Sequence, residues 1–326
     1  MSYIIAIGLY LVLLMVYGLI IAHKKVKTTD DMMTGGHKIP FIILVGSLLA
    51  TWCGGGITGS AGVVYSGGPW VGVLTFAAPP IGIILLYFIA GKVRKSNKLT
   101  VPEIMGARYG TAASIISALC VMLAYVGVLA TQLKAAANIL VLLCHSSGIE
   151  ISHGVALAIC TVIIVIITVG GGLVSVAYSD AVSALIMIGG FFLAIPILMR
   201  AASAQGAVLP AEKTTFTGGM SGWTLLGYFL PSLALMLGDQ NMLQRFASAK
   251  NSDEAKKSNI GMFIGEIMVI ASIVAVATQA AKLYPTLDTP SNVIFQVAVD
   301  YLPMVFGALV MCACMAFIVT TADSYL

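Results

Sequence analysis

The chain has 326 residues, 59% of them hydrophobic and only 9% charged, with a formal net charge of +4. A mean hydropathy of +1.02 excludes a soluble domain and identifies an all-α polytopic membrane protein. The basic residues stand in short loops between apolar runs, which excludes nucleic-acid binding and implies the lipid bilayer as the first partner.

Apolar runs separated by charged or Gly/Pro punctuation predict spans at about 2–22, 40–65, 70–91, 112–144, 153–169, 173–199, 222–245, 259–281 and 299–326. Span one lacks the layout of a cleaved signal, because no basic residue precedes it and Lys24 and Lys25 follow it. It reads as a retained span with the N-terminus outside. All but four of the 17 Lys and Arg fall in alternate loops, at 24–38, 92–108 and 245–257, which are therefore expected to be cytoplasmic. The exceptions are Lys134, Arg200, Lys213 and Lys282.

Span two carries Ala50-Thr51-Trp52-Cys53-Gly54-Gly55-Gly56, and three glycines in mid-span disfavour continuous helix. Backbone freed within a bilayer survives only where it is buried or lines a cavity, so this interruption points to a transporter binding site. Close helix packing through small residues is the alternative. Ser66-Gly67-Gly68-Pro69 reads as a tight turn into span three. After that span, Thr100, Pro102 and Glu103 predict the capped start of a short helix at the inner face, closed by Gly110.

Span four is long enough to tilt or project, and places Thr131, Lys134 and Asn138 on one face. Gly170-Gly171-Gly172 is a tight inner turn, and 200–221 a small polar outer loop. Span seven contains Pro231 and Gly238, followed by Asp239-Gln240-Asn241, and is the second span expected to break. Two broken spans five apart predict an inverted five-helix repeat. Residues 1–39 are then an extra N-terminal span and loop, 40–199 the first repeat and 222–326 a partial second one. The whole is one transmembrane domain, read as the N-terminal two-thirds of a transporter with little transport activity by itself. The six cysteines all lie within spans and lack zinc-ligand spacing, so no metal beyond sodium is expected.

The motifs GGHKIP, LTVPEIMGARYG, GGLVSVAYSDAVSALIM, DQNMLQRFASAKNSDEA and VTTADS occur in this order along the chain. Together they resemble the sodium/solute symporter family, with its leucine-transporter type of inverted-repeat core, and most closely its choline transporter branch. The resemblance implies a sodium ion, the coupling ion, held by the carbonyls of Ala50, Cys53 and Phe317 and the hydroxyls of Thr320 and Thr321. Back-bonding of the two threonines to their own helix is the alternative. It implies a second sodium at Asp180, Thr320, Asp323 and Ser324, with snorkelling of Asp180 to the interface as the alternative. Solute candidates are Trp52, whose ring can hold a quaternary ammonium, and Gly55, Thr131, Lys134 and Asp239. An Asp239–Lys134 ion pair is the alternative for those two residues. Gly127 and Asp239 stand where the choline branch has tryptophans. Glu266, about two turns into span eight, is expected to snorkel rather than bind.

The expected function is sodium-coupled symport of a small organic solute, a cation or zwitterion such as a choline-like compound, by a protein monomeric as a functional unit in the plasma or inner membrane. A neutral or anionic solute is the alternative, and a transporter-like sensor domain is the alternative of another class. No enzyme is expected.

Overall fold

A computed structural model describes residues 2–54, 57–96, 98–169 and 172–326. Fifteen α-helices follow in order among these residues: α1 Ser2–Lys25, α2 Thr29–Thr34, α3 Phe41–Cys53, α4 Ile57–Gly67, α5 Pro69–Phe76, α6 Ala78–Ser96, α7 Val101–Tyr109 and α8 Thr111–Ser146. Then come α9 His153–Val169, α10 Gly172–Ala204, α11 Gly222–Gly238, α12 Gln240–Ser248, α13 Ser252–Leu283, α14 Val293–Asp300 and α15 Met304–Tyr325. No named strand occurs among the described residues; one isolated bridge joins Ile39 to Ala249. The protein is a multi-pass, all-helical membrane protein.

Five of the expected spans are single long apolar helices, α1, α8, α10, α13 and α15, and a sixth is α5 running into α6. Span two is the bent pair α3 and α4, whose axes diverge by 58°. The other two are α9 and α11, each 17 residues, at the short limit for crossing hydrocarbon. Pro231 sits inside α11 without ending it, and the break in span seven falls at Asp239, whose extended backbone starts α12.

Span edges moved where polar caps or prolines outweigh hydropathy. α13 starts at Ser252, seven residues before the apolar run, because Asn251 caps it and Asp253 and Glu254 occupy its positive end. α15 starts only at Met304, after Pro303, and α14 forms a separate short helix before it. The short helix after span three is α7, with Thr100 Oγ1 accepting from Glu103 N at 3.2 Å and Gly110 ending it. Gly170 and Gly171 of the expected inner turn lie outside the described residues.

α10 is the central helix, packed on α1, α3, α13 and α15. Small residues permit the approach: Gly46 of α3 lies against Ala181, and Gly190 against Ala313 and the Leu309 carbonyl of α15. Loop 205–221 is folded back onto the bundle. Lys213 is buried with its ammonium 4.3 Å from the Tyr65 ring centre, and its carbonyl occupies the space a side chain on Gly68 would need. Gly68 has φ +91°, so glycine is required there on both counts.

Candidate functional site

The site begins where α3 stops. Near its end, Ala50 and Thr51 present carbonyls to a neighbour rather than only to their own helix. Thr320 Oγ1 of α15 donates to Ala50 O at 3.2 Å, and Thr321 Oγ1 reaches Thr51 O at 3.0 Å and Ala50 O at 3.5 Å. Thr320 also lies 2.7 Å from Ala316 O and 3.3 Å from Phe317 O, so back-bonding and the cross-helix contact coexist at one hydroxyl. A side chain on Gly54 would collide with Phe317 O and Thr321 Oγ1. The first glycine of the run therefore works by letting α3 and α15 touch.

Of the expected sodium ligands, Ala50 O, Phe317 O, Thr320 Oγ1 and Thr321 Oγ1 are gathered within this buried contact. The Cys53 side chain turns the other way, its thiol donating to Glu266 Oε2 at 2.9 Å.

The second expected set is divided by an arginine. Asp180 is fully buried and does not snorkel; its Oδ2 accepts from Ser47 Oγ at 2.7 Å and pairs with Arg245 Nη2 at 3.3 Å. Arg245, which by sequence stands with the cytoplasmic loop charges, is 1% exposed and bonded to Ser47, Ser324 and the Asn241 carbonyl as well. The amphipathic turn of α12 carries it inward, because a guanidinium offers enough donors to serve several buried acceptors at once. Among the described residues Asp180 Oδ1 has no hydrogen-bond partner, and Asp323 is buried beside Ser324. Thr320 directs its hydroxyl at Ala50 and Ala316 rather than at Asp180.

Beside the Thr321 contact lies a cavity of about 210 Å³, walled by Trp52, Thr131, Glu266, Thr321 and Tyr325 among others. Two of the solute candidates, Trp52 and Thr131, line it; Lys134 is exposed on α8 and does not. Gly55 lies outside the described residues. Asp239 is buried away from the cavity wall, where Tyr325 Oη donates to it at 2.6 Å and Tyr125 Oη at 3.0 Å. The same carboxylate caps α12 by accepting from Asn241 N at 2.8 Å. Its partners are thus two tyrosines and a helix start, not Lys134.

Glu266 is the main correction. It is 4% exposed, does not reach an interface, and points into the cavity between Cys53 and Trp52. The signal was present in the sequence as a carboxylate well inside an apolar span, the kind of residue that is expensive and functional by default. No local pattern singled out Tyr125, Arg245 or Tyr325 as site residues, since their partners lie on other helices.

A family model of the sodium:solute symporter family matches residues 32–326. Among named proteins, the chain is 27% identical over 295 residues to the high-affinity choline transporter 1 of Torpedo marmorata, covering 83% of this chain and 49% of that one. It is 24% identical over 324 residues to the human high affinity choline transporter 1, covering 91% and 54%. It is also 24% identical over 283 residues to the sodium/proline symporter of Salmonella typhimurium, covering 78% and 53%. The chain spans about half the length of these relatives, and less of the Drosophila melanogaster choline transporter, at 31%. A solved structure of a Na+-coupled sialic acid symporter in a substrate-bound outward-open state superposes with a TM-score of 0.81 at 17% identity, over 100% of this chain and 71% of that one. At that identity the likeness is one of fold. With the family model covering nearly all of the described helices, this chain belongs to the sodium:solute symporter family.

Proposed function

We propose that the chain forms the ion- and solute-binding core of a sodium-coupled symporter, with sodium held between α3 and α15. The observation that carries this reading is the meeting of the Thr320 and Thr321 hydroxyls with the Ala50 and Thr51 carbonyls where α3 ends. A hard cation needs several oxygens, and carbonyls at a helix break supply them without a full charge. The expected ligands are Ala50 O, Cys53 O, Phe317 O, Thr320 Oγ1 and Thr321 Oγ1. Thr321 also walls the cavity, so an ion at this contact and a solute in the cavity stabilise the same arrangement of α3 and α15.

The solute is a small organic molecule, in keeping with a cavity below the usual range of drug-sized sites and with relatives named for choline and proline. Trp52 and Thr131 are its expected contacts. The unpartnered Oδ1 of Asp180 supports a second cation near Asp180, Asp323 and Ser324, in competition with Arg245. The distribution of basic loops supports an N-terminus outside, and the location is the plasma or inner membrane. The functional unit is a monomer.

The test is binding of radioactive sodium by the purified protein and its variants. Thr320→Val and Thr321→Val should each weaken sodium binding by about tenfold or more, and Thr→Ser at either position only slightly. Parental sodium affinity in both valine variants refutes the site.

A further inference from the structure

We propose that Glu266 is the cation-recognising residue of the cavity, and that the solute carries an ammonium group held by the Glu266 carboxylate together with the Trp52 ring. The proposal rests on the reading of this cavity as the solute site and narrows it to one class of solute.

Three observations converge. Among the described residues that line the cavity, Glu266 is the one carboxylate, and no lysine or arginine joins it. The cavity wall thus carries an acidic group without a basic partner. Secondly, Glu266 is held in place rather than free to leave: the Cys53 thiol donates to its Oε2 at 2.9 Å, and the Trp52 indole lies within hydrogen-bonding reach of the same carboxyl. Neither donor carries a charge, so both orient the group and neither supplies a counter-charge. Thirdly, both donors come from the last turn of α3, the turn whose carbonyls meet Thr320 and Thr321.

An unpaired carboxylate in a buried site is unfavourable until a cation arrives. An ammonium supplies that charge, and the Trp52 ring, which also lines the cavity, adds cation–π attraction for the same headgroup. Asp239 and Lys134 do not serve this purpose. Asp239 is satisfied by two tyrosines and a backbone amide outside the cavity wall, and Lys134 stands exposed on α8. The chemistry selects a small quaternary or protonated amine over a neutral or anionic solute of the same shape. Because Cys53 and Trp52 bind Glu266 from the end of α3, a cation on Glu266 also bears on the helix that forms one side of the expected sodium site.

The experiment uses choline and its uncharged carbon isostere 3,3-dimethylbutan-1-ol as probes, with binding to the purified protein followed by tryptophan fluorescence. The parent should bind choline about tenfold or more tighter than the isostere. Glu266→Gln, which keeps an acceptor for the Cys53 thiol, should abolish that preference by weakening choline and sparing the isostere. Glu266→Asp should keep the preference at reduced affinity. Equal binding of the two probes by the parent overturns the proposal without recourse to any variant, so a variant that fails to fold does not rescue it. A preference retained in Glu266→Gln overturns it too. Choline binding that sodium abolishes competitively would give Glu266 to the coupling ion and also overturn it. Sodium binding measured on the parent alone separates this proposal from the broader one. Its absence, with the choline preference intact, sinks the sodium reading and leaves Glu266 as the cation site.

Discussion

Replacing Arg245 by methionine removes one charge from a fully buried ion pair and tests whether the four helices around it are locked by it. Arg245 and Asp180 are 1% and 0% exposed and 3.3 Å apart. The guanidinium ties α12 to Ser47 on α3, Asp180 on α10 and Ser324 on α15, just beyond Thr320 and Thr321. Without it, Asp180 keeps the Ser47 hydroxyl at 2.7 Å on Oδ2 and the Thr51 hydroxyl close by, neither of them charged. Breaking one side of such a pair costs about 3–5 kcal/mol, because the surviving charge stays buried. Asp180→Asn leaves a buried guanidinium in the converse position and should be comparably destabilising. The double variant Asp180→Asn/Arg245→Met leaves neither charge of the pair without its partner, so its loss should fall short of the sum of the singles by about 1–3 kcal/mol. Unfolding by sodium dodecyl sulfate in mixed micelles, read by tryptophan fluorescence, gives the three differences. Additivity within about 0.5 kcal/mol would show that the two groups do not depend on each other and would refute the lock.

Gly54→Ala places a methyl group against Phe317 O and Thr321 Oγ1, so it should push α3 from α15 and weaken sodium binding more than Thr321→Ser does, whereas Gly59→Ala, with open space at its Cβ, should not. Equal sodium affinity in the Gly54 and Gly59 variants would remove Gly54 from the site. Tyr125→Phe and Tyr325→Phe each delete one donor to Asp239, and their rings are 4.5 Å apart between centroids. Each should destabilise the protein by about 1–3 kcal/mol and raise hydrogen exchange at the start of α12, with Tyr125→Phe the larger in exchange because its hydroxyl also accepts from Asn241 N at 2.9 Å. Unchanged exchange at Asn241 in both would show that the tyrosines do not hold this helix start.

Hydropathy and punctuation by themselves determined that the chain crosses a membrane repeatedly, and where most of its helices lie. An apolar run long enough to span hydrocarbon has few other folds open to it, and Thr100, Asn251 and Pro303 act through local hydrogen bonding or a fixed backbone angle. The interruption at Cys53-Gly54 was legible for the same reason, because glycine weakens a helix wherever the helix sits. The contact between Thr320 and Ala50 was reached through the resemblance of VTTADS and ATWCGGG to a known family, since 270 residues separate the two groups. Tertiary structure alone decided the fate of the charges. Arg245, Asp180, Asp239, Glu266 and Lys134 look alike in a sequence as ionisable residues in or near spans. Burial of a charge depends on which helix faces it: an arginine against Asp180, two tyrosines against Asp239, a thiol and an indole against Glu266, while Lys134 stands exposed. Those partners lie as many as 213 residues away, at Cys53 and Glu266, and no periodicity within a span reports on them.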